Sequence, residues 1–182
     1  MNVKQLLKRY KTGERDFQKA NLHQANLCGA DLSGANFSGA DLSGADLSKA
    51  NLKGCNFDRA NLTDADLSEA DLYDSYMVDV NLIGADCIGA KMKQVNLSCA
   101  DLRTANLARA HLLRAKLTDA QVSGADLSGA NLSYAHLMGC NLNEADTSGA
   151  NLTRAIVTHK EIIGNAQNTR VSHKWVTWAG SC

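Results

Sequence analysis

The sequence predicts a solenoid, a chain that turns at a fixed period and stacks each coil on the previous one. From Ala20 to Val157 one five-residue unit recurs without insertion or deletion: Ala, then Asp or Asn, then Leu, then two variable residues. A period of five matches neither the 3.6-residue turn of an α-helix nor the two-residue alternation of a β-strand. A fixed internal period is stronger evidence of fold than residue-by-residue propensity. The chain must therefore turn at every unit.

The phenylalanines indicate how many units make one coil. Phe17, Phe37 and Phe57 are the only phenylalanines, and they are twenty residues apart. If four units make a coil, all three lie on one inner side in successive coils, about 4.8 Å apart as in hydrogen-bonded strands. We therefore predict four sides per coil rather than three, and a core ladder formed by Phe17, Phe37 and Phe57.

The repeated unit resembles the A(D/N)LXX motif of the pentapeptide-repeat family, and the resemblance covers most of the chain. Successive examples are Ala30–Gly34, Ala35–Gly39 and Ala40–Gly44. The resemblance implies an all-β solenoid, a right-handed quadrilateral β-helix with one pentapeptide per side and, for this length, about seven coils. The family is abundant in cyanobacteria. The resemblance implies less about function than about fold, because proteins of one fold can have different functions.

The two ends of the chain are predicted to cap the stack, whose end coils are exposed edges. Asn2 and Gln5 form the signature of a helix N-terminus. Thr158 begins a similar signature, and the tail after it carries Trp175 and Trp178. We expect these tryptophans to cover the last coil, with dimerisation through that end as the alternative to a monomer. The predicted division is a helical cap at 1–14, the β-helix at 15–157, and a short helical or irregular cap and tail at 158–182.

Composition and motifs argue against several functional classes. Nineteen basic and nineteen acidic residues cancel, so no global field favours nucleic acid or an anionic membrane. The N-terminus lacks the apolar stretch of a signal peptide, and the six cysteines contain no CxxC pair, so we expect a cytoplasmic chain with reduced thiols. The sequence contains no phosphate-binding loop, nucleophile elbow or zinc-protease motif. We predict a non-enzymatic protein without catalytic residues, cofactor or metal.

Charge is distributed unevenly over the predicted sides. The acidic side carries a line of aspartates and is defined by the inward residues Leu27, Leu47, Leu67, Cys87, Leu107, Leu127 and Thr147. The basic side, which follows it along the chain, is defined by the inward residues Leu32, Leu52, Leu72, Met92, Leu112, Leu132 and Leu152. It carries Lys53, Lys91, Lys93, Arg114 and Arg154 against Asp31, Asp71 and Asp74. Some members of the family are regarded as mimics of duplex DNA that bind topoisomerases such as gyrase, which would require a strongly acidic rod. Because the chain has zero net charge and a basic neighbouring side, the favoured interpretation is that the aspartates only brace turns.

The repeat is least regular in its middle, where a partner could recognise a unique axial position. A regular solenoid presents nearly the same surface after each coil, so specificity must come from residues that break the period. The residues that do so, which we call the irregular band, are Tyr73, Tyr76, Val78, Ile83, Ile88, Lys91 and Lys93. We predict a protein-interaction scaffold with an unidentified protein partner bound at this band. The alternatives are a gyrase-binding DNA mimic and a structural rod without a specific partner.

Overall fold

The computed structural model describes residues 1–157, which contain one α-helix followed by a long stack of coils. Helix α1 spans Val3–Lys11. Two short parallel strands, β1 at His136–Leu137 and β2 at Ile156–Val157, pair with each other near the end of the described chain. A 3₁₀ helix, Leu142–Glu144, lies between them in sequence.

Isolated parallel bridges, rather than continuous strands, hold the coils together. They join residues twenty apart throughout the repeat, from Asp16–Asn36 to Asn131–Asn151. Twenty residues contain four units, so each coil has four sides. The extended part of a unit is too short to form a longer ladder, because the chain turns again within five residues.

One unit shows how the backbone groups are satisfied. The N–H of Asp41 donates to the carbonyl of Ala20 in the preceding coil at 2.9 Å. The N–H of Leu42 donates to the backbone carbonyl of Asn61 in the following coil at 2.8 Å. The N–H of Ala45 then closes the turn on the carbonyl of Leu42 at 3.0 Å. Proline is absent from the chain, which agrees with a backbone whose N–H groups are needed in the ladder.

The last residue of the unit adopts a left-handed backbone. Gly44 has a φ of 62° and Lys49 a φ of 58°, as the third residue of a type II turn requires. Glycine reaches this region without steric cost, and Asn and Asp tolerate it better than other residues. The requirement explains why glycine recurs at this position of the repeat.

The interior is built from the Leu and Ala positions of the unit. Leu42, Leu62 and Leu82 are fully buried. Every Ala position from Ala35 to Ala135 is also buried, including those where Cys, Ser or Val replaces Ala. Phe17, Phe37 and Phe57 fall in one column because they are twenty residues apart. Their rings are stacked, with centroids 5.6 Å apart for the first pair and 5.4 Å for the second.

The Asp or Asn of each unit braces the turn that follows it. In a representative unit, the N–H of Ser48 donates to Asp46 Oδ1 at 3.0 Å, and the Ser48 hydroxyl donates to the same oxygen at 2.6 Å. Short polar side chains commonly accept such a bond from the backbone two residues on. The repeat therefore uses Asp and Asn for backbone satisfaction as well as for solubility.

Helix α1 packs on the first coil. Its capping box is present: Gln5 N–H donates to Asn2 Oδ1 at 2.9 Å, and Asn2 N–H donates to Gln5 Oε1 at 3.2 Å. Leu6 is fully buried in the common core, and the Tyr10 hydroxyl donates to the carbonyl of Ser33 at 2.9 Å. These contacts fix the helix to the edge of the solenoid.

The structure departs from the uniform register that the sequence predicts at one place. The expected bridge between Gln121 and Asn141 is replaced by the 3₁₀ helix, where Gly124 N–H donates to the carbonyl of Glu144 at 2.7 Å and the Ser123 hydroxyl contacts the Glu144 carboxylate. The Asn141 side chain holds the helix by donating to Glu144 Oε1 at 2.7 Å. The predicted C-terminal cap and tail, 158–182, lie outside the described residues.

Candidate interaction surfaces

The irregular band is distributed over all four sides of the solenoid. Tyr73, Lys91 and Lys93 lie on the basic side, whereas Ile88 lies on the acidic side that precedes it. Tyr76 and Val78 belong to the side that follows Tyr73, and Ile83 belongs to the next. A single flat partner could therefore contact the basic side and one adjoining corner, but not the whole band at once.

The exposed part of the band contains an aromatic and cationic cluster. Lys93 Nζ lies 5.8 Å from the ring centroid of Tyr73, which belongs to the preceding coil. The Tyr73 hydroxyl donates to Gln94 Oε1 at 3.0 Å. Tyr73 is 39% exposed, and Lys91 and Lys93 are also exposed. The cluster combines apolar area, hydrogen-bonding groups and positive charge, a combination typical of interface anchors.

Tyr76 is the most exposed large hydrophobic residue of the band, at 53%. It stands where most units have Asp or Asn, so it cannot accept the usual bond from the backbone of Val78. Asp58, one coil earlier, accepts that bond instead: Val78 N–H donates to Asp58 Oδ1 at 2.8 Å. The fold therefore accommodates a tyrosine at this position without an unsatisfied backbone N–H.

The branched residues of the band are less accessible than the tyrosines. Val78, Ile83 and Ile88 are half-buried, because the turn positions they occupy lie against the neighbouring coils. Beneath them the core is also irregular: Ser75 is buried and its hydroxyl donates to the carbonyl of Leu72 at 2.7 Å. Ser75 replaces the usual Ala and is not one of the predicted residues of the irregular band.

A second column on the basic side was not among the predicted site residues. Tyr134 lies between two arginines of the coils before and after it. The guanidinium carbon of Arg114 is 5.8 Å from the Tyr134 ring centroid, and that of Arg154 is 5.5 Å away. Arg154 also donates to the Tyr134 hydroxyl at 2.9 Å. The spacing of twenty residues, which identified the phenylalanine column, would have identified this one too.

The acidic side carries stacked aspartates whose oxygens serve the backbone. Bridges connect Asp46 with Asp66 and Asp66 with Asp86, and a further bridge connects Asp126 with Asp146. Each of these five aspartates accepts a backbone N–H two residues on through its Oδ1 atom. Asn106 separates the two groups in the column. The aspartates thus have a structural role whether or not the side binds a partner.

The described part of the chain shows no arrangement suited to metal binding. Among residues 1–157, no group of three or more His, Cys, Asp or Glu side chains could hold a metal ion.

Cys55 and Cys87 are buried in the core, where burial raises the pKa of each thiol to about 12. Cys28 and Cys99 are free thiols at the surface. Within residues 1–157, no helix has the length and hydrophobicity needed to cross a bilayer.

The coils, their period and their bridges define a repeat protein of the β-solenoid class. The model of the pentapeptide repeats matches this chain in eight copies, over 16–54, 40–78, 60–98, 96–133 and 123–158. The chain belongs to the pentapeptide-repeat family. Membership implies a right-handed quadrilateral β-helix, in agreement with the bridges that close a coil every twenty residues.

Several solved structures are similar to this chain. HetL, a pentapeptide repeat protein involved in heterocyst differentiation regulation in the cyanobacterium Nostoc sp. strain PCC 7120, is 29% identical over 86% of this chain and 94% of its own, with a TM-score of 0.44. A pentapeptide repeat protein of the Arabidopsis thaliana thylakoid lumen is 32% identical over 67% and 68%, with a TM-score of 0.34. QnrB1, a plasmid-mediated fluoroquinolone resistance protein, is 23% identical over 80% and 92%, with a TM-score of 0.42. No curated protein sequence matches this chain significantly.

Proposed function

We propose that this chain is a non-enzymatic scaffold that binds a protein partner through the irregular band. The observation that carries the proposal is the exposure of Tyr76 and Tyr73 on adjoining sides of one coil, at 53% and 39%. Tyrosine at an interface combines a large apolar ring with a hydroxyl that needs a polar partner, and it is frequent among the residues that dominate binding energy.

The position of the band supports the same proposal. Above and below it, Ser, Gly, Asp and Asn recur from coil to coil, so a partner sliding by one coil would find nearly the same surface. Tyr73, Tyr76, Lys91 and Lys93 occur in only one register. A partner that contacts them binds at one axial position, which is what a scaffold must specify.

The experiment is an affinity capture from native lysate that compares the wild-type chain with the variant Tyr73→Ser, Tyr76→Asn. Asn stands at the equivalent position of many units and would restore the usual bond to the backbone of residue 78, so this variant should remain folded. The matched control is Met138→Ser, which removes an exposed apolar residue, 47% accessible, from another coil. A partner that binds the wild type and the control but is at least tenfold depleted on the band variant supports the proposal. Equal capture by all three chains would remove the band as the binding site.

A gyrase-binding DNA mimic has less support from the charges. The column of aspartates on the acidic side is interrupted at Asn106, the side that follows is basic, and the net formal charge of the chain is zero. A supercoiling assay with purified gyrase tests this alternative. Protection of gyrase that depends on Asp46, Asp66 and Asp86 would favour the mimic over the scaffold.

A further inference from the structure

The basic side is divided into two halves of different charge, a lower half formed by the units before Ala90 and an upper half formed by the units from Ala90 onward. In the lower half, Lys53 Nζ pairs with Asp71 Oδ2 at 3.1 Å, and Asp31 and Asp74 add further negative charge. In the upper half the outward residues include no Asp or Glu. The four units of that half are Ala90–Gln94, Ala110–Arg114, Ala130–Tyr134 and Ala150–Arg154.

Four cations of the upper half have no carboxylate partner within the described chain. Ion pairs in residues 1–157 form elsewhere, and none includes Lys91, Lys93, Arg114 or Arg154. All four side chains belong to exposed residues. Like charges in successive coils repel one another over distances comparable with the Debye length of roughly 10 Å. Binding of an anion would therefore lower the electrostatic free energy of the upper half.

Two of these cations are held in place. The Tyr134 ring separates the guanidinium groups of Arg114 and Arg154 at 5.8 and 5.5 Å from its centroid, and its hydroxyl accepts a bond from Arg154 at 2.9 Å. Contact with an aromatic face restricts an arginine side chain and leaves its outer N–H groups free to donate to another molecule. Because the side chains are partly ordered beforehand, binding costs less conformational entropy.

We infer that the upper half of the basic side is a docking face for an acidic, extended segment of a partner protein. The inference rests on the proposed scaffold function and names the chemistry of its partner. From the coil of Lys91 to that of Arg154 is three coil spacings, about 14 Å, which about four residues of extended chain span. Carboxylates of such a segment would meet lysines at one end and the planar arginine donors, which suit carboxylates in two-point contact, at the other.

The shape of the charged surface favours a peptide over duplex DNA. Lys91, Lys93, Arg114 and Arg154 all lie on one side of the solenoid, and the acidic side begins one corner away with Asp126 and Asp146. A duplex is wider than one side, so its phosphates would approach these aspartates. A single extended peptide fits within the basic side and avoids them.

The test measures the fluorescence anisotropy of a labelled decaglutamate peptide titrated with the full chain at about 50 mM and about 300 mM salt. We expect binding at low salt that the double variant Arg114→Gln, Arg154→Gln weakens about tenfold, since it removes two charge-assisted contacts. The charge-matched control is Lys19→Gln, Lys49→Gln, which removes two cations from other sides. Glutamine occurs naturally at the same left-handed turn position at Gln24 and Gln94, so both variants should fold.

Three outcomes would overturn the inference. Absence of decaglutamate binding by the wild type at low salt would exclude an acidic docking face, while the capture experiment on Tyr73 and Tyr76 would still decide the scaffold function. Equal weakening by the two double variants would show non-specific charge attraction. Tighter binding of a labelled DNA duplex than of decaglutamate, lost in the arginine variant, would assign the face to nucleic acid instead.

Discussion

Phe37 stacks on Phe57 with ring centroids 5.4 Å apart and ring planes 14° from parallel. Phe17 continues the column on the other face of Phe37 at 5.6 Å and 21°. Side-chain pairs across neighbouring strands are the unit of stabilisation in a sheet, and here the equivalent pairs are residues twenty apart. The energetics of this chain should therefore follow columns along the axis rather than neighbours along the sequence.

The phenylalanine column should show measurable coupling. We expect Phe37→Leu to lower the free energy of unfolding by about 1–2 kcal/mol, because Leu occupies the same inward position at Leu97 but cannot stack on two rings. A double-mutant cycle with Phe57→Leu, measured by chemical denaturation, should give a coupling energy of about 0.5–1.5 kcal/mol. The control cycle pairs Phe37→Leu with Leu97→Met, three coils away on the same side, and should be additive. Equal coupling in both cycles would contradict an energetic role for the stack.

The left-handed turn position gives a second prediction, because one β-branched residue occupies it. Thr104 has a φ of 56°, a conformation that β-branched residues rarely adopt. We expect Thr104→Gly to raise the free energy of unfolding by up to about 1 kcal/mol, as relief of steric strain exceeds the added entropy of the unfolded chain. Thermal and chemical denaturation both report this change.

The reverse substitution serves as the control for that prediction. Gly54 has a φ of 62°, and a Cβ atom added there would meet no atom within 4 Å. Gly54→Thr therefore introduces backbone strain without a clash at Cβ, and we expect it to cost about 1–2 kcal/mol. If both substitutions changed stability in the same direction, backbone strain at this position would not explain the glycine preference of the repeat.

Much of the fold could be predicted from the sequence because the repeat constrains it at every unit. The period of five indicates a turn in each unit, and the three phenylalanines indicate the register of twenty that the bridges show. The 3₁₀ helix at Leu142–Glu144 could not be predicted in this way, since Asn141-Leu142-Asn143-Glu144 fits the repeat as well as any other unit. There, the Glu144 carboxylate contacts Ser123 and Asn141, contacts that the repeat pattern does not reveal.

The candidate surfaces were only partly predictable. Departures from the repeat identify Tyr73 and Tyr76, but they cannot reveal that Asp58 compensates for Tyr76 through a bond to the next coil. Arg114, Tyr134 and Arg154 do not break the repeat, because its turn positions accept many residue types. Their significance lies in their being stacked, which only the spacing of twenty or the structure discloses.

Acid stability should depend on the aspartates that brace the turns. The hydroxyl and backbone N–H of Ser43 donate to Asp41 at 2.6 and 3.1 Å and lower the pKa of that carboxyl group. A carboxyl whose pKa is lower in the folded state stabilises the fold above its unfolded pKa, near 4, and loses this contribution as the pH falls through the folded pKa. We expect Asp41→Asn, which keeps an acceptor oxygen, to show a smaller fall in melting temperature between neutral pH and about pH 3 than the wild type. An identical fall in both chains would contradict this linkage.

The four cysteines Cys28, Cys55, Cys87 and Cys99 should divide into two classes of reactivity. Only the thiolate reacts readily with iodoacetamide, and burial raises the pKa of Cys55 and Cys87 to about 12. At pH 8 roughly one such thiol in ten thousand is ionised, and the core excludes the reagent as well. We expect peptide mapping by mass spectrometry to find rapid alkylation of the exposed Cys28 and Cys99 and protection of Cys55 and Cys87. Denaturation in urea before alkylation should abolish the difference and serves as the control. Cys87 occupies an inward Leu position three units after that of Tyr73. Alkylation of Cys87 as fast as that of Cys99 would show that the middle of the solenoid opens in the native state.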